Sequence, residues 1–389
     1  MNEVIIIGAG PAGLMTGIMS KKNTLIIEKN NSAGKKLLIT GGGRCNITNN
    51  KDNKEFLNNI DNNKKYLYST IFNFGPQEII DFFNKNNVKL KEEENNKMFP
   101  VSNKAYTILE CLLNNYNGKI NYNEEVLSIS KINDNYKVIT NKNIYEAQKV
   151  VIATGGSSFP KTGSSGDNMK FAKSLLQPTI RLYPAEVGLD LTEKIDIPGS
   201  SISNVSIKVD KTVKNGSLIF THRGLSGESI MLISEYVYKL NKDTIEIDFF
   251  PDIDIENLES SIKIYDREKE IHTFFEQFFS KKITEYLISK INLEKNAKIK
   301  QLCKTDYKKI SHLKKMTFNI KKTNILDQAY VTGGGIDMKY INSKNMESTI
   351  NKGLFFVGEA LDIHGPIGGY NLTLALSTGY TAGINLWNI

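Results

Sequence analysis

The residues best able to do chemistry in this chain lie in glycine-rich runs, not in clusters of acids, histidines or cysteines. Gly8-Ala9-Gly10-Pro11-Ala12-Gly13 follows the apolar run Val4 to Ile7 and precedes the stretch Leu14 to Ser20. In G-x-G-x-x-G between a strand and a helix, Gly8 permits a tight turn, Gly10 lets backbone approach a pyrophosphate, and Gly13 lets the helix pack closely on the strand. The helix amides then face the phosphates. A second apolar strand, Thr24 to Ile27, ends in Glu28, followed by Lys29; a carboxylate there can accept the hydroxyls of an adenosine ribose. Strand, glycines, helix, strand and acid in register predict a β-α-β dinucleotide fold.

Five more runs share this character. Lys35 and Lys36 lead into Gly41-Gly42-Gly43-Arg44-Cys45-Asn46, a loop that suits a pyrophosphate and the edge of a flavin ring, because three glycines let backbone come very near a flat or anionic group. Ala153-Thr154-Gly155-Gly156 closes the apolar run from Lys149 and makes a second close approach. The small-residue loop Phe159 to Asp167 leads into a helix from Met169. Leu354 to Val357 runs into Gly358-Glu359, where a carboxylate can bind the sugar-alcohol chain of a flavin. Gly368-Gly369-Tyr370-Asn371-Leu372 opens the final helix, with its positive end towards the ring. Cys45, His222, His364 and Tyr370 are the titratable groups nearest this inferred ring site, and Cys45 and His222 are favoured as acids. Cys45 equally suits a small residue filling a tight loop, and His222 a residue holding an insert against the sheet.

The elements that must position these residues follow from periodicity. Gly75-Pro76 opens a helix to Asn84, with proline at the first turn. A helix after Ser102 carries Ala105, Ile108, Leu109, Leu112, Leu113 and Tyr116 on one face, with Cys111 off that stripe. Three short strands, Glu125 to Ser130, Tyr136 to Thr140 and Ile144 to Ala147, form a meander in which Val126 can offer its backbone to an adenine edge. The next strand, Lys149 to Ile152, reads as buried and parallel. From Pro184 the pattern changes: strands at 206–211, 217–221 and 245–250 surround Thr221-His222-Arg223-Gly224-Leu225-Ser226-Gly227, and amphipathic helices fill 256–313. Tyr330 to Ile336 reads as a strand into a glycine turn. The fold class expected is α/β: a Rossmann-like domain over 1–185 and 329–389, a β-barrel-like insert over 186–255 and 314–328, and a helical insert over 256–313.

With 389 residues the chain can bury a large core. The uncharged run Val4 to Met19 is explained by the nucleotide turn, which excludes a membrane span there. The fold begins at residue 3, which predicts no leader, and three dispersed cysteines, Cys45, Cys111 and Cys303, predict a reducing cytoplasm with no disulfide framework and no metal site. The net charge of +8 is confined to Tyr265 to Lys322, where 15 Lys plus Arg face 7 Asp plus Glu. That segment reads either as a solvated lysine-rich face or as a patch for an anionic partner such as RNA.

With these residues together, the chain resembles the HI0933-like flavoproteins, also called the BaiN or aminoacetone-oxidase-type group, within the glutathione-reductase-like superfamily. The resemblance rests on Gly8 to Gly13, Gly41 to Asn46, Thr162 to Asp167, Thr221-His222 with Gly224 to Gly227, and Gly358-Glu359 with Gly368 to Leu372, and it covers nearly the whole chain. Glu228 stands where the family usually has proline, and Asn168 where glycine often follows Gly-Asp. The resemblance implies FAD, with NADH or NADPH as a transient hydride donor, and reduction of a conjugated C=C bond: uridine in large-subunit ribosomal RNA for some members, unsaturated bile-acid ketones for others. Aminoacetone oxidation is a further label the family carries. No second complete G-x-G-x-x-G follows Glu28, so the nicotinamide is expected to dock over the flavin. The basic segment favours RNA. The alternatives are a reductase of small enones, an oxidase of small amines, and an RNA- or ribosome-binding protein with structural FAD.

Overall fold

The computed structural model describes residues 2–20, 22, 24–322 and 326–387. The chain divides into two units, Met1–Tyr183 with Leu326–Ile389, and Pro184–Ile325.

In the first unit, β1 (Asn2–Ile7) enters the glycine turn and α1 (Pro11–Met19) leaves it, with Pro11 at the first helical position. Next come β2 (Leu25–Ile27), α2 (Lys35–Ile39) and α3 (Ala105–Asn115). Then follow β3 (Lys119–Asn121), β4 (Val126–Ile132), β5 (Asn135–Thr140) and β6 (Ile144–Ile152). The unit ends with α4 (Asp167–Ser174), β7 (Leu354–Phe356) and α5 (Tyr370–Asn385). The sheet order is β3-β2-β1-β6-β5-β4, with β7 on the remaining parallel edge of β6. Ile5 pairs with both Leu25 and Val150, so β1 lies between β2 and β6. The parallel strands are buried on both faces, which is why they read as unbroken apolar runs.

The meander strand at 144–147 and the buried strand at 149–152 are one strand, β6, antiparallel to β5 through Ile144 and Tyr145 and parallel to β1 through Val150 to Ile152. Its outer half has one face exposed and alternates, while its inner half is covered on both sides and does not. One strand therefore looked like two. Gly333 to Gly335, expected as a turn, lie inside the buried strand Val331–Ile336, which pairs with Thr179–Ala185. Cys111, though off the apolar stripe, is buried, and burial pushes its thiol up to about 11.

In the second unit, a six-stranded antiparallel sheet runs Leu189–Asp190, Gly224–Ser226, Thr212–Phe220, Ser201–Val209, Thr244–Asp248 and Met316–Asn319 in spatial order. A bridge between Leu191 and Ile320, with Thr192 N–H donating to Asn319 O, links first strand to last and closes the sheet as a barrel-like insert. The helix Glu228–Lys239, which the sequence reading did not anticipate, packs on this sheet. Four further helices lie within 255–311, and their Phe274, Phe275 and Leu287 share one core with Ile207, Phe220 and Phe318 of the sheet. Among the described residues no helix is long and apolar enough to cross a membrane, and no cluster of His, Cys, Asp and Glu could hold a metal ion.

Candidate functional site

The C-terminal ends of β2, β1 and β6 bring the glycine turn, Glu28 and Ala153 to Gly156 to one edge of the first unit. The turn is tight because its glycines touch backbone. A Cβ on Gly13 would lie 2.1 Å from the carbonyl oxygen of Gly8, and one on Gly8, at φ +105°, would lie 2.5 Å from that of Ala153. Gly10 is different: no atom lies within 4 Å of where its Cβ would be. Open space in front of Gly10, at the start of α1, is where a pyrophosphate fits.

Glu28 is buried and accepts from Ala9 N–H (2.9 Å) and Asn30 N–H (2.8 Å), so one carboxylate ties the end of β2 to the glycine turn. Val126 is buried at the start of β4, beside a register shift in its pairing with β5. Glu359 follows β7 and gathers the other end of the edge: it accepts from Thr332 N–H (2.9 Å), Lys36 Nζ (2.6 Å), Ser158 Oγ (3.3 Å) and Gly156 N–H (3.3 Å). Gly358 takes left-handed backbone (φ +65°), and a Cβ there would meet the Ala12 methyl at 2.9 Å.

In the Gly41-to-Asn46 loop, Gly41, Gly42 and Gly43 all take left-handed backbone and Cys45 follows at φ +63°. A Cβ on Gly42 would meet nothing within 4 Å, so this loop too presents bare backbone to open space. Its side chains point elsewhere. Arg44 forms an ion pair with Glu93, donates to Asn103 Oδ1 (2.9 Å) and lies 4.3 Å over the Phe99 ring. It anchors the loop to the hairpin of Leu90–Glu93 and Lys97–Pro100 rather than facing a phosphate. Arg44 and Lys91 hold Glu93 below the usual carboxylate range.

Several expected site residues are likewise engaged with the protein. Lys29 pairs with Asp167 (2.7 Å), and Lys36 with Glu359; Lys35 is half-buried at the start of α2. Asn371 uses its whole amide on Gly365, accepting from its N–H (3.0 Å) and donating to its carbonyl (2.7 Å), and so closes the loop before α5. Leu372 is half-buried behind it. Gly369 caps α5 at φ +93°, its Cβ position 2.4 Å from Thr48 backbone. Asn168, the family departure, is buried and donates to Ala360 O.

Of the titratable candidates Cys45, Tyr370 and His222, the first two are buried and the third is exposed. Cys45 is wholly buried in the core of the first unit. Burial pushes its thiol up to about 12 against the opposing pull of Thr40, so at neutral pH it is an unexposed thiol that touches no open space. Tyr370 is buried and stacked on Phe56 at 4.7 Å, and burial pushes its hydroxyl up to about 12. His222 is exposed on the second unit, next to Arg223, whose guanidinium pairs with Asp190.

The basic segment also changes meaning. Lys290, Lys314, Lys315 and Lys322 pair with Glu193, Asp248, Glu246 and Asp243, all outside 265–322 but within the same unit. Lys314 is nearly buried and also donates to Phe250 O and Ile253 O, which makes it a structural cation. Within the segment, Lys298 and Lys300 share Glu268, Lys295 pairs with Glu285, and Lys309 with Asp306. Sequence counting missed this because those partner carboxylates lie far away in the chain.

The family model for the HI0933-like protein Rossmann domain matches residues 2–385. The chain is 29% identical over 396 residues to a ribosomal RNA dihydrouridine synthase of Escherichia coli, covering 99% of this chain and 98% of that one. It is 26% identical over 408 residues to a 3-dehydro-bile acid delta(4,6)-reductase of Clostridium scindens, covering 98% of each. Among solved structures, a 3-ketosteroid-delta4-(5alpha)-dehydrogenase from Rhodococcus jostii shares the fold at TM-score 0.51 and 12% identity, covering 99% of this chain and 96% of that one.

Proposed function

The chain belongs to the HI0933-like family, and from that premise we propose that it is an FAD-dependent oxidoreductase that uses NAD(P)H to reduce a C=C bond conjugated to a carbonyl, with uridine in large-subunit ribosomal RNA as substrate. The observation that carries the cofactor is the bare backbone at Gly10, open at the edge of the parallel sheet beside Glu28, with a second bare stretch at Gly42 in the loop after α2. In this reading the amides of Gly10, Ala12 and Gly13 receive the pyrophosphate, with Pro11 starting the helix between them. Glu28 keeps lone pairs for ribose hydroxyls, and Val126 offers backbone to the adenine. Gly42, Gly43 and Asn46 border the ring, Ala153 to Gly156 line its approach, and Glu359 holds the sugar-alcohol chain. The start of α5, at Gly369 and Leu372, sets a positive helix end beside the pyrimidine. When bound, FAD supplies the hydride transfer between nicotinamide and the electron-poor carbon. Cys45 and Tyr370, buried in the core of the first unit, pack behind the site.

What supports the substrate is the pair of full-length relatives. A uracil ring and a dienone both present a C=C bond conjugated to a carbonyl, so one site chemistry serves both. RNA is favoured over a small enone because the dihydrouridine synthase is the more similar relative. The exposed cations Arg267, Lys269, Lys281, Lys282, Lys304 and Lys308, which make no ion pair among the described residues, are those left for a phosphate backbone. The test is reoxidation of the NADH-reduced protein without oxygen. Unmodified ribosomal RNA should reoxidise it and a dienone steroid should not. The reverse result would move the protein to the bile-acid-like reading, and peroxide release from amines in air without nicotinamide would make it an oxidase.

A further inference from the structure

We propose that Lys29 is a positioning residue and not a phosphate ligand: with Asp167 it latches the loop between β6 and α4 across the dinucleotide crevice and sets how fast FAD leaves. The proposal rests on the reading that this crevice holds FAD.

Sheet order makes the argument. The loop 157–166 starts at the end of β6, yet its far side is bonded to the end of β2, and β1 lies between the two strands. At the β6 side, Gly166 N–H donates to Gly156 O (2.9 Å), and Ser164 packs so closely on Gly155 that a Cβ there would lie 2.7 Å from its hydroxyl. At the β2 side, Lys29 Nζ donates to Asp167 (2.7 Å) and Ser165 Oγ (2.5 Å), and Asn30 Nδ2 donates to Thr162 O (3.1 Å). The loop therefore crosses the end of β1, where Gly8 turns and Gly10 stands open. Its fit to β2 is close: a Cβ on Gly163, at φ +105°, would lie 2.5 Å from Asn30 Nδ2.

The latch is of a kind that can open. Its ion pair is about three-quarters buried on each side, with side chains 25% and 23% exposed, so water reaches both partners. A partly shielded pair with two added hydrogen bonds acts mainly on dissociation, since it must break before a ligand behind it can leave.

The experiment follows flavin fluorescence as FAD leaves the purified holoprotein, at low and high salt, for Lys29→Ala, Asp167→Asn, the double variant, Lys29→Arg and the milder Ser165→Ala. Thermal melting of each variant checks that it is folded. Lys29→Ala and Asp167→Asn should each speed release about three- to tenfold, the double variant no more than either, and Lys29→Arg should restore the wild-type rate. Ser165→Ala should give a smaller effect in the same direction and keeps the test open if a charge variant fails to fold. Salt should speed wild-type release but not that of the single variants. Acceleration by Lys29→Ala alone, with Asp167→Asn and Ser165→Ala unchanged, would make Lys29 a phosphate ligand and overturn the latch. Unchanged release in all variants would also overturn it. A chain that takes up no flavin at all would instead remove the FAD reading beneath it.

Discussion

Cys45 carries the clearest lesson at the scale of the single residue. A cysteine in a glycine-rich loop invites a catalytic role, yet its left-handed backbone turns the side chain inward, where burial raises the thiol far above neutrality. Of the three cysteines, Cys303 is exposed and the other two are buried. A thiol reagent should therefore label one cysteine per folded chain, Cys303, and mass spectrometry of the labelled peptides will show it. Rapid labelling of Cys45 would reinstate it as a reactive group. The target of Arg44 in that loop was not legible, because Glu93 and Phe99 come from a hairpin, and Asn103 from the turn after it, some fifty residues away. Arg44→Lys keeps the charge but loses the planar stack and the forked contact. It should loosen the loop and weaken FAD binding severalfold, measured by flavin titration, while full affinity would show that Arg44 does not hold the loop.

At the scale of elements, the glycine turn was readable because its demands are local: strand, three glycines and helix are contiguous, and each glycine has one neighbour to avoid. Gly13→Ala would put a methyl into the Gly8 carbonyl. It should destabilise the protein by about 1–3 kcal/mol and abolish flavin uptake, since α1 must lift off β1. Retained uptake with unchanged stability would mean that the helix can shift without cost. The continuity of β6 was not readable, because local periodicity reports how many faces are covered and not where a strand ends. Glu124 joins the ends of β3, β5 and β6. It is buried and accepts from Thr140 Oγ1 (2.7 Å), Tyr145 OH (2.9 Å) and Asn121 Nδ2 (3.0 Å). Burial alone would raise its carboxyl, but these donors outweigh burial and hold it below the ordinary value of 4.5. With the folded value depressed, its contribution is fully present above about 4.5 and lost as pH falls through the folded value. Glu124→Gln should lower the melting temperature near pH 7 and flatten its fall below pH 4.5, whereas a parallel fall in both proteins would place the acid sensitivity elsewhere.

For the whole molecule, the charge count was right as arithmetic and incomplete as geometry. The excess of Lys and Arg in 265–322 is met in part by carboxylates elsewhere in the same unit, Glu193, Asp243, Glu246 and Asp248, so part of it is cohesion within that unit. Lys314 should behave as a core residue: Lys314→Ala leaves Asp248 and two carbonyls without their cation and should cost about 2 kcal/mol by denaturant unfolding. Replacing the exposed Lys304 and Lys308 with Gln should leave stability unchanged and lower the salt slope of binding to ribosomal RNA fragments, and an unchanged slope would remove these residues from any RNA surface. The central claim, that this family member reduces uridine in ribosomal RNA, is tested most directly by the dihydrouridine content of 23S ribosomal RNA, measured by nuclease digestion and mass spectrometry in cells with and without the gene. The account predicts that dihydrouridine is lost on deletion and returns when the gene is restored, and that it does not return with the Gly13→Ala variant. An unchanged dihydrouridine content in the deletion strain would contradict it.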